Sequence, residues 1–440
     1  VGDCGFDVSI LIWAVMRNIS FASCVEGGYG WRRSLLALAI FTFGFVSQIS
    51  AQGSGQASER LSVTGEHRPN LVALDEMMGS FMLEHKVPGA SLAVSKDGVL
   101  VYSRGFGLRD VRQELPVMPS TRFRIASLSK PITSAAIAAL VKSGKMTFDD
   151  TLVSFLDATE RASVHPQLRS VTIKQILLHR GGWDRSISGD PMFETVKIGK
   201  ALRLGRPANQ AELIQFVLQR APDFEPGAKY AYSNFGYCLL GRVIERVSKQ
   251  PYGEFVKGAL FKVSSETSLD LGKTLTAQTN ESRYYVPSQR RVTGVVTGVI
   301  GKQVPTQYGG WCIENMDSHG GWIASAEDLV AFANSFNQPE SSVFLTKTIA
   351  SEVFQNPLED DKDVFYGYGW LVRRVGGGHR LNTWHNGSLP GTSTLLVRRH
   401  DGFNWAVLFN SRDGSDGKSL STLIDPLIHQ AVNRVEKWPE

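Results

Sequence analysis

The stretch Phe123-Arg124-Ile125-Ala126-Ser127-Leu128-Ser129-Lys130-Pro131-Ile132 and its continuation to Lys142 decide how this 440-residue chain is read. Apolar residues at helical spacing predict a helix over Ile132 to Lys142, with Ser127 at its N-terminus and Lys130 one turn later on the same face. Pro131 falls in the first turn, where a missing backbone donor costs least. A serine hydroxyl is a poor nucleophile until a neighbour takes its proton. A lysine near the positive end of a helix can do so, because the helix field disfavours its ammonium form by about 0.3–1 kcal/mol. The pattern Ser-x-x-Lys alone is a chance event, since Ser415 to Lys418 repeats it.

Two later motifs give it context. Tyr232-Ser233-Asn234 follows a Pro-Gly turn at Pro226-Gly227 and precedes a helix predicted over Phe235 to Ser248. The Tyr232 phenol can hold or relay a proton passed to a leaving group, and Asn234 can hold a carbonyl or bond Lys130. His385-Asn386-Gly387 is read as the end of a strand over Leu381 to His385. Gly387 there lets a substrate lie against the strand edge, and the amides of Ser127 and Ser388 form a candidate oxyanion hole.

Outward from these motifs, Asn70 to His85 reads as a helix, and Ala90–Val94 and Leu100–Phe106 as a hairpin turning at Lys96-Asp97-Gly98. The middle, about 126–339, is mainly helical, and strands return at Tyr368–Val375, Leu381–His385, Thr392–Arg399 and Asn404–Asn410 before a last helix from Ser419. The fold class is therefore α+β: one antiparallel sheet built from about 70–125 and 340–436, with an inserted helical part. Residues 52–69, rich in Gly, Ser and Gln, read as a flexible linker. Residues 1–51 read as an upstream extension and signal peptide: Trp31-Arg32-Arg33, the apolar run Leu35 to Val46, and a small-residue cleavage site after Ala51. The run is shorter than the ~20 residues of a spanning helix, so the expectation is export to the periplasm or medium of a bacterium, with no stable membrane association after cleavage.

The chain is 42% hydrophobic and 20% charged, an ordinary globular balance. Its +5 charge has no dense basic block beyond the first 35 positions, which argues against nucleic acid as partner. Cys238 and Cys312 lack metal spacing and read as separate thiols, and the nine histidines show no ligand motif, so neither cofactor nor metal is expected.

Taken together, the three motifs resemble the active-site serine hydrolases of the penicillin-recognising group, the class C β-lactamases, DD-peptidases, D-aminopeptidases and family VIII carboxylesterases. Leu177-Leu178-His179-Arg180-Gly181-Gly182 and the segment Gly320 to Leu329 support the likeness, which spans about Asn70 to Val432. The resemblance implies a β-lactamase/DD-peptidase-like fold. It implies an acyl-enzyme on Ser127, with Lys130 as its base, Tyr232 as partner base and leaving-group acid, and Asn234, His385, Asn386 and Gly387 holding the substrate. Where the group usually has Lys-Thr-Gly this chain has His385-Asn386-Gly387, and a histidine, partly charged near neutrality, holds a carboxylate less firmly. That departure resembles the esterase and D-aminopeptidase branches. The expected substrate is a small carboxylic ester, with weak β-lactam hydrolysis beside it; a D-amino-acid or cell-wall peptidase, or a β-lactamase, is the nearest alternative. A non-catalytic acyl-binding sensor is the rival of another class, and the complete motif set stands against it. Trp183, Trp311, Trp322 and Trp384 are candidates for an acyl pocket.

Overall fold

Asp97 (φ 50°) and Gly98 (φ 90°) both take the left-handed backbone that a tight, right-twisted hairpin requires. They join β2 (Gly89–Lys96) to β3 (Val99–Asp110), where the sequence predicts the turn. A computed structural model describes residues 61–261, 268–286, 290–358, 362–376 and 380–439. The expected signal peptide and cleavage site lie outside the described residues.

The remaining strands of the main sheet are β1 (Val63–Thr64), β4 (Leu115–Pro116), β5 (Val364–Tyr366), β6 (Leu371–Val375), β7 (Arg380–Leu389), β8 (Thr392–Arg398) and β9 (Phe403–Phe409). Their order is β1-β3-β2-β9-β8-β7-β6-β5, antiparallel throughout, with β4 on β3. The sheet is thus assembled from strands at both ends of the folded part, and the chain between β4 and β5 carries most of the helices together with two small sheets.

One face of the sheet is covered by α1 (Val72–His85) and α6 (Leu420–Arg434). Leu74, Met78, Phe81 and Met82, one helical stripe, pack with Ile424 and Ile428 on Leu92, Val94, Trp405 and Val407. The other face carries α2 (Ser129–Lys142), α3 (Asn234–Ser248), α4 (Tyr252–Leu260) and α5 (Ala326–Asn334). α2 is buried on every side from Ser129 to Ala138, as befits a central helix whose Ala135, Ala136 and Ala138 let neighbours approach closely. Burying Ile132 and Ile137 contributes roughly 1.5–3 kcal/mol each.

Three expectations need correction. Residues 61–69 are not all linker, because Val63 and Thr64 pair with Phe106 and Gly105, and Arg104 donates to the Thr64 and Glu66 carbonyls. Two residues of strand are too short to give a periodicity. β7 does not end at His385 but runs to Leu389. Gly387 reads as a terminator in sequence, whereas here it allows a close crossing of backbones. α4 has no counterpart among the predicted helices. Gly253 and Gly258 lower its propensity, and packing of Tyr252, Val256 and Leu260 into the core overrides that loss. Cys238 and Cys312 are free.

Candidate active site

Ser127 sits in a 3-10 turn, Ala126–Leu128, that leads straight into α2. Ala126 holds φ +49°, a strained angle for a residue with a side chain. The Ser129 hydroxyl donates to the Ala126 carbonyl (2.7 Å) and pins that turn. One turn on, Lys130 is fully buried. Its Nζ lies 2.7 Å from Asn234 Oδ1, 2.9 Å from the His319 carbonyl oxygen and 3.1 Å from Ser127 Oγ. The first two are pure acceptors and take two N–H bonds. A neutral amine then has its lone pair left for the Ser127 hydroxyl. Burial holds the Lys130 pKa well below the ordinary lysine value; the charge of Arg185 adds to that, and the charge of Asp190 opposes it.

Tyr232 lies on the loop just before α3, and its hydroxyl donates to Ser127 Oγ at 2.9 Å. The motif is divided by local structure. Ser233 is the N-cap, its Oγ accepting from the Gly236 amide, and Asn234 is the first helical residue. The Asn234 amide faces two ways: Oδ1 accepts from Lys130, and Nδ2 donates to Asp190 Oδ2 at 2.6 Å. Asp190 also accepts from the Met192 amide, and burial raises its pKa against those bonds. Burial likewise raises the Tyr232 phenol, keeping it protonated.

His179, in the turn after Leu178, accepts from the Ser233 amide through Nδ1 (3.1 Å) and lies 4.3 Å, centroid to centroid, from the Tyr232 ring. It sets the floor under Tyr232. A second tier holds the His319 carbonyl: Thr133 donates to the Ser318 carbonyl (2.5 Å) and shares a bond with the Tyr252 hydroxyl, which accepts from the Trp322 indole. Asp190, His179 and this tier escape sequence reasoning. The signals the sequence holds are the Leu177–Gly182 segment, which contains His179, and the Gly320–Leu329 segment, which contains Trp322, both through the resemblance.

Gly387 crosses the nucleophile turn so closely that a Cβ there would lie 2.3 Å from the Ile125 carbonyl oxygen and 3.1 Å from the Ser127 amide. The crossing brings the Gly387 backbone against the Ser127 amide. β6 accompanies β7 only as far as Leu371 opposite Trp384, so from His385 onward that edge of β7 has no strand beside it among the described residues. Strand alternation turns His385 and Asn386 opposite ways. His385 is buried beside Tyr232. Its Nδ1 donates to the Asn386 carbonyl (2.7 Å), so Nε2 accepts from the Tyr366 hydroxyl (3.0 Å). Burial brings its pKa down to about 3. The partly charged imidazole expected from sequence is therefore a neutral one. The Asn386 side chain lines a cavity under α6 with Arg373, Trp384 and Asp425, away from Ser127, so a substrate contact there is confined to the backbone.

Of the tryptophans, Trp183 packs on Phe235 and Trp322 is wholly buried, both serving the core, and Trp384 faces the α6 side. Trp311 joins Ala126, Ile313, Met316 and Leu389 in a small apolar cluster flanking the nucleophile turn. Among the described residues no group of three His, Cys, Asp or Glu is placed to hold a metal ion, and no helix is long and apolar enough to cross a membrane.

Residues 74–427 match the model of the family described as Beta-lactamase. Protein flp of Staphylococcus aureus (strain N315) is 27% identical over 363 residues, 82% of this chain and 66% of the relative, so the chain spans just under two thirds of that protein's length. Among solved structures, the octameric penicillin-binding protein homologue from Pyrococcus abyssi superposes with a TM-score of 0.63 at 22% identity, covering 83% of this chain and 78% of that one. The D-amino acid amidase of Ochrobactrum anthropi SV3, complexed with L-phenylalanine amide, gives 0.64 at 20% identity, over 84% and 100%. At such identities these two structures speak for the fold.

Proposed function

We propose, from the premise that this chain belongs to the Beta-lactamase family, that it is a serine hydrolase working through an acyl-enzyme on Ser127, chiefly a carboxylesterase for small esters. The observation that carries the reading is the surroundings of Lys130 Nζ: two obligate acceptors, no carboxylate in contact, and Ser127 Oγ at 3.1 Å. In the forward step Lys130 takes the Ser127 proton as Oγ bonds to the ester carbonyl carbon. The resulting oxyanion is met by the amides of Ser127 and Ser388. Tyr232 gives its proton to the departing alkoxide and is reprotonated from the Lys130 ammonium, whose nitrogen lies 4.8 Å from the centre of its ring. Water then repeats the sequence on the acyl-serine and returns the free acid.

The neutral, fully engaged His385 supports esters over the β-lactams, because no fixed positive charge stands at the third motif. The unaccompanied edge of β7 favours a second reading, amide cleavage in peptide-like substrates that add to the sheet as a strand. The test is the initial rate on p-nitrophenyl butyrate, nitrocefin and a D-alanyl anilide side by side, with Ser127→Ala as control. Dominant, Ser127-dependent butyrate cleavage is expected, and faster nitrocefin or anilide turnover would replace the esterase reading. Export remains part of the proposal, resting on the basic pair and apolar run ahead of Ala51, and N-terminal sequencing of the mature protein checks it.

A further inference from the structure

We propose that Arg185 is the specificity-determining residue of this site and holds a carboxylate carried by the leaving part of the substrate. The inference rests on the acyl-enzyme reading above. Arg185 is exposed, on the loop that follows the Leu177–Gly182 segment, and its guanidinium carbon stands 4.9 Å from the centroid of the Tyr232 ring. A guanidinium stacked on an aromatic face keeps its edge donors free, and those donors match the two oxygens of a planar carboxylate.

Two other basic side chains of the site are already committed. Lys130 is fully buried, with its nitrogen occupied by Asn234, His319 and Ser127. His385 is buried, with both ring nitrogens engaged. Asp190 is spent on Asn234 and the Met192 amide, Asp184 is paired with Lys229, and among the described residues Arg185 forms no ion pair. Yet the Arg185 charge reaches Lys130, His179, Tyr230 and Tyr232. A permanent cation thus overlooks the site from the side of Tyr232, the residue placed to protonate the leaving group. An anion hanging from that group falls under Arg185.

The test compares 3-carboxyphenyl acetate with its neutral isostere 3-carbamoylphenyl acetate, reading the ratio of their kcat/KM values. In the wild-type chain the ratio favours the carboxylate and shrinks in 1 M NaCl. In Arg185→Gln it falls about tenfold, the size of a charge-assisted hydrogen bond at a partly wet site. Arg185→Lys restores part of it. A ratio that Arg185→Gln leaves unchanged, or a wild-type chain without the preference, overturns this inference alone. Turnover of both esters that survives Ser127→Ala, or a wild-type chain that cleaves neither, overturns the acyl-enzyme reading and this inference with it.

Discussion

Arg124 and Lys130 belong to one short segment and both are essentially sealed from water, at 1% and 0% exposure, yet their charges are met in opposite ways. The Arg124 guanidinium donates to the carbonyls of Gln307 (2.7 Å), Lys273 (2.8 Å) and Thr274 (3.2 Å) and lies over the rings of Tyr284 and Tyr308. Glu281, with no exposed side-chain surface, stands 3.7 Å from its Nε. Lys130 has acceptors without a counter-charge, because Asp190 is held one residue away behind Asn234. Equal burial therefore has two results. The Arg124 guanidinium is braced by a carboxylate and three carbonyls and acts as a strut, whereas burial among neutral acceptors holds the Lys130 pKa well below the ordinary lysine value, as a base requires.

Four variants sharpen or break this contrast. Lys130→Ala should remove the base, lowering Ser127-dependent turnover by about 10³-fold or more while the protein still unfolds cooperatively on heating. Retained turnover would put the proton acceptor elsewhere. Arg124→Met should do the reverse: denaturant unfolding shows about 3–5 kcal/mol of lost stability, because Glu281 is left buried without its partner. A variant as stable as the parent would mean that Arg124 is no strut. Gly387→Ala forces a methyl into the space 2.3 Å from the Ile125 carbonyl oxygen. Backbone must move, and a displacement of about 1 Å at the Ser127 amide costs about 10²-fold in turnover. The smallest effect is expected of Asp190→Asn. The Asp190 charge raises the Lys130 pKa, so removing it lowers that pKa further. The acid limb of the pH–rate profile then moves to lower pH, with plateau turnover reduced by about tenfold or less. A limb that moves up would show that Asp190 does not act on Lys130 through its charge.

The six longer strands of the sheet, the hairpin turn at Asp97-Gly98 and the helices at α2 and α3 are legible in the sequence, whereas β1, β4 and β5, of two or three residues each, are too short to give a periodicity. Ser127, Lys130, Tyr232 and Asn234 are named there as well, and the structure brings them into one hydrogen-bonded group. What stays illegible is set by tertiary contact. The neutrality of His385 follows from its burial beside Tyr366, nineteen positions earlier in the chain. Asp190 lies in a stretch with no motif and matters only because Asn234 turns its amide towards it. The outward side chain of Asn386 depends on β7 continuing past Gly387, which a glycine argues against until the crossing with Ile125 is seen. α4 is missed because Gly253 and Gly258 lower its propensity, while the close approach of Leu271 that Gly253 permits is a contact no local pattern contains.

The proton on Lys130 is the centre of the account. The most direct measurement is the rate at which a fluorophosphonate labels Ser127 as a function of pH, in the wild-type chain and in Asp190→Asn. Labelling needs the free amine, so the rate rises with pH through the Lys130 pKa and then levels. A limb that levels well below the ordinary lysine value of 10.5, and that moves lower still in Asp190→Asn, is the predicted result. A rate still climbing through about pH 10.5 in both proteins would show a lysine that keeps its charge, and would contradict the assignment of Lys130 as the base.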